Sequence, residues 1–426
     1  SSTATAATRA FAARFGDRAG TREWFVPGRI EVLGKHVDYA GGRSLLAAID
    51  RGMHIVARPR RDARVHLADA RSGQVFTTSL EAGLEPAPGS WTNYVLTVLR
   101  RMARDFGGTQ LGMDAALASS LPSAAGISSS SALVISIFLP LASFNRLDRH
   151  AAWLPEFNEP GGLAGYLGAA ENGLAYRGFP ADFGVGTAGG SQDHLAILGC
   201  RTGRLTTARF LPTRIEHETD FPREWTFVVA SSGVHASKTG SVQRHYNLLS
   251  ADARAILKSW NDAHGGAETS LLDVLSRAGA EAELGSLLSV LPDAGRLSRR
   301  LSQFRSETLE LIPAAVTAVA RGDASALGSA IDRSWRIGAE VLANQTPETM
   351  HLAESARGLG ALAASPFGAG FGGSVYAIVE REAADDFAAR WMETYRHHFR
   401  DAGARSEVFR TDPADGAHET TGSGDH

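Results

Sequence analysis

Pro122-Ser123-Ala124-Ala125-Gly126-Ile127-Ser128-Ser129-Ser130-Ser131-Ala132 runs directly into the apolar segment Leu133-Val134-Ile135-Ser136-Ile137-Phe138-Leu139. Small side chains let backbone N–H groups come close to an anion. A helix beginning at Leu133 places the loop at a helix N-terminus, where four N–H groups lack partners and the macrodipole is positive. A phosphate suits that position. The consecutive hydroxyls from Ser128 to Ser131 add donors, and one of them can ligate a metal ion. The same composition also describes a plain surface loop whose serines cap the helix. Residues elsewhere must decide between the two.

The 426 residues are enough for two or three domains with a buried core. With 43% hydrophobic and 21% charged residues, the composition is that of an ordinary globular protein. A net charge of -3 favours neither nucleic acid nor an anionic membrane as partner. The lone Cys200 excludes an internal disulfide framework and a cysteine metal cluster. The longest apolar run, Ala132 to Phe144, is too short for a membrane span. No secretory pattern follows Ser1, so the expectation is a cytoplasmic protein.

Periodicity predicts helices over Ser1–Phe15, Asn93–Phe106 and Gly162–Arg177. It predicts strands over Trp24–Gly34, Ala47–Pro59 and Asp114–Leu117, a hairpin of Arg64–Ala68 with Val75–Leu80, and a buried strand at Thr226–Ala230. Asp193–Leu198 is apolar. A helical half follows in Val242–Leu257, Ser270–Val290 and Arg296–Arg321, then a strand Ser374–Glu380 and a helix Ala383–Phe399. This order suggests an α+β pair of domains, 1–209 and 210–412, with a disordered polar tail over 413–426. Two strings mislead. Gly368-Ala369-Gly370-Phe371-Gly372-Gly373 fits G-x-G-x-x-G, but a strand rather than a helix follows it, which argues for a Gly-rich bend and against a dinucleotide site. Gly233 to Thr239 looks like a phosphate-binding loop, but Ser237 stands where the second glycine must be. That segment still offers His235 and Lys238 to a site.

Three Gly/Ser-rich segments, in order, resemble the GHMP kinase superfamily and its galactokinase branch. Pro27-Gly28-Arg29-Ile30-Glu31-Val32-Leu33-Gly34-Lys35-His36-Val37-Asp38-Tyr39-Ala40-Gly41-Gly42 is similar to the signature P-G-R-V-N-L-I-G-E-H-T-D-Y-N-G-G. The Ser-rich loop resembles P-x-G-x-G-L-S-S-S-A, and Gly368 to Ser374 matches G-x-G-F-G-G-[CS]. Ser90-Trp91-Thr92-Asn93-Tyr94-Val95 is similar to a W-x-N-Y-V helix start. The resemblance implies a two-domain α+β GHMP kinase fold with the active site in the interdomain cleft. It implies ATP and Mg²⁺ as cofactors and the anomeric hydroxyl of a sugar as phosphoryl acceptor. Asp193 would take the sugar proton, with Arg29 stabilising charge beside it. Nucleotide would contact Trp91, Asn93, Pro122, Ala124, Ala125, Gly126, Ile127, Ser128, Ser129, Ser130, Gly370 and Gly372. Metal would fall to Ser129 or Ser130 and to Glu171. Sugar would contact Lys35, His36, Asp38, Gly190, His235 and Lys238.

The chain departs from that family at several positions. Lys35 replaces a glutamate that meets the sugar C6 hydroxyl, which suggests a sugar altered at C6, such as a uronic acid. If Lys35 turns instead to solvent or to Glu31, the replacement is silent. Glu31 stands where the family has asparagine. The interval from Glu171 to Asp193 is longer than the family's, with Phe183 to Gly190 as the inserted part. The family's sugar-contacting tyrosine has no clear match; His235, Lys238, Thr239 and Tyr246 lie in its neighbourhood. Mevalonate and homoserine are disfavoured by the sugar-type G-x-H-x-D-Y. A catalytically silent relative that binds ATP and sugar to regulate a partner is the alternative.

Overall fold

The computed structural model describes residues 2–108, 110–122, 129–235 and 240–420. Its strands are β1 Arg22–Leu33, β2 Arg43–Pro59, β3 Arg64–Asp69, β4 Val75–Ser79, β5 Met113–Ser119, β6 Arg204–Arg209, β7 Arg214–Asp220, β8 Trp225–Ser231, β9 Ala363–Phe367, β10 Ser374–Glu380, β11 Val408–Thr411, β12 Pro413–Ala414 and β13 His418–Thr420. They form two sheets. The larger runs β13-β1-β2-β5-β3-β4, with β12 and the β6–β7 hairpin also joined to β2. The smaller runs β11-β8-β10-β9. Only β3 and β5 pair in parallel among the described strands.

β1 is buried along almost its whole length from Val26 to Leu33, so its apolar residues do not need to alternate with polar ones. Ile30, Val32, Leu45, Ile49 and Ile55 pack in one core with the helices Thr92–Asp105 and Ser129–Phe144. The second of these is apolar on nearly every side, as a core helix must be. A separate helical cluster, including Ile256, Trp260, Leu271, Leu284, Leu288 and Phe304, receives Val37, Tyr39 and Ala40. The turn after β1 is thereby fixed by the second half of the chain.

Several expectations change. The Ser-rich helix begins at Ser129, not Leu133. The helix expected to reach Arg177 stops at Asn172, where Gly173 turns left-handed at φ 73°. Ser270–Val290 is two helices, Leu271–Leu275 and Ala280–Ser289, because Gly279 sits between them at φ 77°. Arg296–Arg321 is continuous but contains a π-helical turn, Ser306–Leu311. The boundary at 209/210 cuts a hairpin, since Arg209 pairs with Arg214 and Arg204 with Asp220. The larger sheet therefore extends to Asp220. The described part of the expected disordered tail, 413–420, returns to the same sheet: Pro413 pairs with Ile49 and His418 with Phe25. The helices Ala324–Val341 and Pro347–Gly358 and strand β9 were not expected. β9 contains Pro366, which a sheet tolerates here because the strand lies at an edge.

Candidate active site

A polar cavity opens where the two halves meet. β1 contributes Arg29 and Glu31, the following turn His36 and Asp38, and the helix Gln192–Gly199 contributes Asp193. Tyr246, Gly368 and Ala369 close it from the second half. Arg29 and Asp193, far apart in sequence, meet here: Arg29 Nε donates to Asp193 Oδ1 at 2.7 Å. The guanidinium is 3% exposed and the carboxylate 21%, so the pair is shielded yet the acid still reaches the cavity. Asp193 also sits in the first turn of its helix, where the dipole favours a negative charge.

The turn after β1 is held by the helical half. Glu307, in the π-turn, accepts from Gly34 N at 2.7 Å and from Lys35 N at 3.3 Å. Ser334 Oγ donates to the same carboxylate. Arg300 donates to the carbonyl of His36 and to the Tyr39 hydroxyl. His36 is left-handed at φ 54°, with Nδ1 against the Tyr39 hydroxyl and Nε2 against the Ala369 carbonyl. The Tyr246 ring lies 5.1 Å from the His36 ring. Tyr246 is thus the aromatic wall of the cavity, delivered from the helix Gly240–His264.

Asp38 accepts from Gln192 N at 3.1 Å. Burial pushes its carboxyl above the usual range, that hydrogen bond opposes the shift, and the Asp193 charge adds to it. Gly190 stands against it: a Cβ there would lie 2.5 Å from Asp38 Oδ2. Overpacking of this kind costs about 1–3 kcal/mol. Gly190→Ala is therefore expected to raise the sugar KM by about 5- to 150-fold while leaving the ATP KM unchanged, measured by steady-state ADP release.

Glu171 lines the cavity from the helix Pro160–Asn172. Ser131 Oγ donates to it at 3.1 Å. Ser129, expected as a metal ligand, is exposed, and Ser130 is half-buried beside Tyr94, whose hydroxyl burial pushes up to about 12. Of the described serines at this helix start, Ser131 is the one hydrogen-bonded to Glu171. A carboxylate and a hydroxyl at a helix N-terminus are an oxygen donor set of the kind Mg²⁺ accepts beside nucleotide phosphates. Among the described residues, no three His, Cys, Asp or Glu side chains cluster as a self-sufficient metal cage.

Other expected contacts fall elsewhere. Lys35 does not line the cavity; its ammonium is buried 3.7 Å from Glu31 Oε1, and its stem packs on Gly338. Glu31 lines the cavity in its place, with Oε2 accepting from Gln192 Nε2 at 2.6 Å. Gly370 and Gly372 serve packing: added Cβ atoms would lie 2.3 Å from the Asn344 carbonyl and 2.7 Å from the Val234 carbonyl. Their neighbours Gly368 and Ala369 are the cavity residues of that string. Asn93 is buried, and its Oδ1 accepts from Ala87 N, fixing the turn before the helix. Trp91 is 48% exposed and rests edge-on against Phe76. His235 is exposed and outside the cavity lining. Pro122 is buried just before the Ser-rich loop. Ala124, Ala125, Gly126, Ile127 and Ser128 lie outside the described residues, as does Lys238. Ser131 was among the hydroxyls the sequence offered as a ligand, though Ser129 and Ser130 were preferred. Sequence reasoning missed Thr187, Gln192 and His194; the last two flank Asp193, and that adjacency was the available signal.

Comparison with known proteins agrees with this geometry. The galactokinase galactose-binding signature matches residues 9–59, the GHMP kinase N-terminal domain residues 93–156, and the GHMP kinase C-terminal domain residues 315–397. A galactokinase of Chloroflexus aggregans is 28% identical over 387 residues, 90% of each chain. A galactokinase of Streptomyces coelicolor is 29% identical over 92% of this chain and 93% of its own. Lactococcus lactis galactokinase, solved with galactose, shares the fold at a TM-score of 0.78 and 22% identity, covering 97% of this chain and 98% of that one. Mevalonate kinase of Methanococcus jannaschii is more distant, with a TM-score of 0.53 and 12% identity over 93% of this chain and 98% of its own. No helix among the described residues is long and apolar enough to cross a membrane. With Arg29, His36, Asp38 and Asp193 converging on one cavity and all three family patterns in order, the chain belongs to the GHMP kinase superfamily, as a galactokinase-like sugar kinase.

Proposed function

We propose that this kinase transfers the γ-phosphoryl group of ATP to the anomeric hydroxyl of a neutral, galactose-like hexose. The Arg29–Asp193 pair carries the reading: a carboxylate reaches the cavity while a buried guanidinium balances its charge. Asp193 accepts the proton of the attacking hydroxyl, and Arg29 stabilises the negative charge that gathers on the transferred group. Asp38 and His36 orient the sugar, and Tyr246 bounds its face. The Ser-rich loop and the helix start at Ser129 cradle the nucleotide phosphates, and Trp91 offers an exposed ring to the base. Mg²⁺ would be held by Glu171 and Ser131 and would neutralise phosphate charge.

The cavity's charges favour a neutral sugar over a uronate. Glu31, Asp38, Glu171 and Asp193 all line it, with Arg29 as their counter-charge, and the Lys35 ammonium lies behind Glu31. A sugar carboxylate would meet like charges there. The test is coupled ADP release with Mg·ATP across galactose, glucose, mannose, N-acetylgalactosamine and galacturonate, with the product's phosphate position read by NMR. Turnover is expected with a neutral hexose and a C1 phosphate. Turnover confined to galacturonate, or phosphate on another carbon, rejects the reading. Nucleotide binding without turnover of any sugar rejects it in favour of a silent, ligand-sensing relative.

A further inference from the structure

His194 follows Asp193 on the same short helix and lines the same cavity. It is 1% exposed, and neither ring nitrogen has a hydrogen-bond partner. A buried polar group left unmatched costs about 1–3 kcal/mol. A ligand entering the cavity would relieve that cost. Nε2 stands 3.4 Å from Glu171 Oε2, the carboxylate that also receives Ser131. Two ligands each about 2.1 Å from one ion, at octahedral to tetrahedral angles, lie about 3.0–3.4 Å apart. The imidazole and the carboxylate already have that spacing.

We propose that His194 and Glu171, with the Ser131 hydroxyl, form a divalent-metal site that prefers an imidazole-accepting ion such as Co²⁺ or Zn²⁺ to Mg²⁺. Mg²⁺ takes oxygen ligands and sheds water reluctantly, whereas imidazole nitrogen suits the later first-row ions. The ligand set is one nitrogen, one carboxylate and one hydroxyl, with further positions open to water or phosphate. The inference rests on the proposed function only in placing the ion beside the nucleotide; binding itself is read without nucleotide.

The experiment titrates Co²⁺ into the full chain and follows its visible absorption, with Mg²⁺ as competitor. His351→Gln is carried in every sample, because the His351 and His398 rings stack at 4.4 Å and offer Co²⁺ a competing pair of imidazoles. The expected result is one Co²⁺ that equimolar Mg²⁺ does not displace. His194→Gln should weaken Co²⁺ about 10- to 100-fold and leave Mg²⁺ affinity unchanged. Equal Co²⁺ affinity in His194→Gln overturns the proposal. Should that variant fail to fold, displacement of Co²⁺ from the wild-type site by equimolar Mg²⁺ overturns it as well. Absence of sugar phosphorylation would reject the kinase reading and leave Co²⁺ binding intact. Loss of the Co²⁺ preference would leave Mg²⁺-supported turnover intact.

Discussion

Asp193→Asn is expected to lower sugar-dependent kcat by about 10²- to 10⁴-fold, the range lost with a positioned general base. The substitution keeps the side chain's shape, and asparagine's carbonyl oxygen can still accept from Arg29 Nε at the 2.7 Å contact. It cannot accept a proton. The ATP KM should stay near its wild-type value, because the proposed role of Asp193 is towards the sugar and the nucleotide contacts are proposed on other elements. Arg29→Met tests the partner. It removes the guanidinium that pairs with Asp193, so Asp193 faces the Asp38 and Glu31 carboxyls without its own partner, and both kcat and sugar affinity should fall. If Asp193→Asn loses less than about tenfold in kcat, the proton goes elsewhere and the proposed chemistry fails; rate against ATP and sugar concentration for both variants decides it.

Much of this site was legible because its residues sit in local patterns that only a few backbone shapes satisfy. Pro27 to Gly42 reads as strand and turn, and both appear; the resemblance of the same stretch to a family signature picked out Arg29 and Asp38. What was illegible depends on distant contacts. The β6–β7 hairpin reads as a polar boundary because β7 exposes most of its residues, and only its pairing through β6 to β2 reveals it as sheet. β12 and β13 are too short for periodicity, and their partners lie near the opposite end of the chain. The family resemblance sets Lys35 at the sugar C6 hydroxyl, with a turn towards Glu31 as the alternative, and the structure has the alternative. The reason lies in the backbone. Register shifts occur within β1, and Gly34 then turns at φ 111°. Gly34 has no alternative there: a Cβ would lie 2.2 Å from Ser44 Oγ. The side chain that follows is buried against Gly338 with its ammonium at Glu31. The substitution that suggested a new substrate is, in this fold, half of a buried ion pair.

That pair yields the largest stability effect. Lys35→Met is expected to cost about 3–5 kcal/mol near pH 8, the usual loss when one partner of a buried pair is removed and the other stays charged. The two side chains are 2% and 3% exposed, so water cannot compensate. Burial pushes the Glu31 carboxyl up to about 7, against the pull of Lys35 and Arg29. An unfolded glutamate titrates near about 4.3. Between those values the folded chain holds a proton that the unfolded chain has released. Glu31's contribution to stability is therefore greatest in acid, falls as pH rises through that window, and levels off above it. Lys35→Met removes the strongest pull and moves Glu31 higher still, so the decline should continue above pH 7 and the cost should shrink near pH 5. Lys35→Met/Glu31→Gln leaves no buried charge in the pair and should recover most of the loss, with a flatter pH profile than either parent. Thermal melts of the wild type, the single and the double variant from pH 5 to pH 8 measure all three. A single variant as stable as wild type at pH 8, or a double variant no better than the single, would show that the 3.7 Å pair is not what holds Lys35 in its buried position.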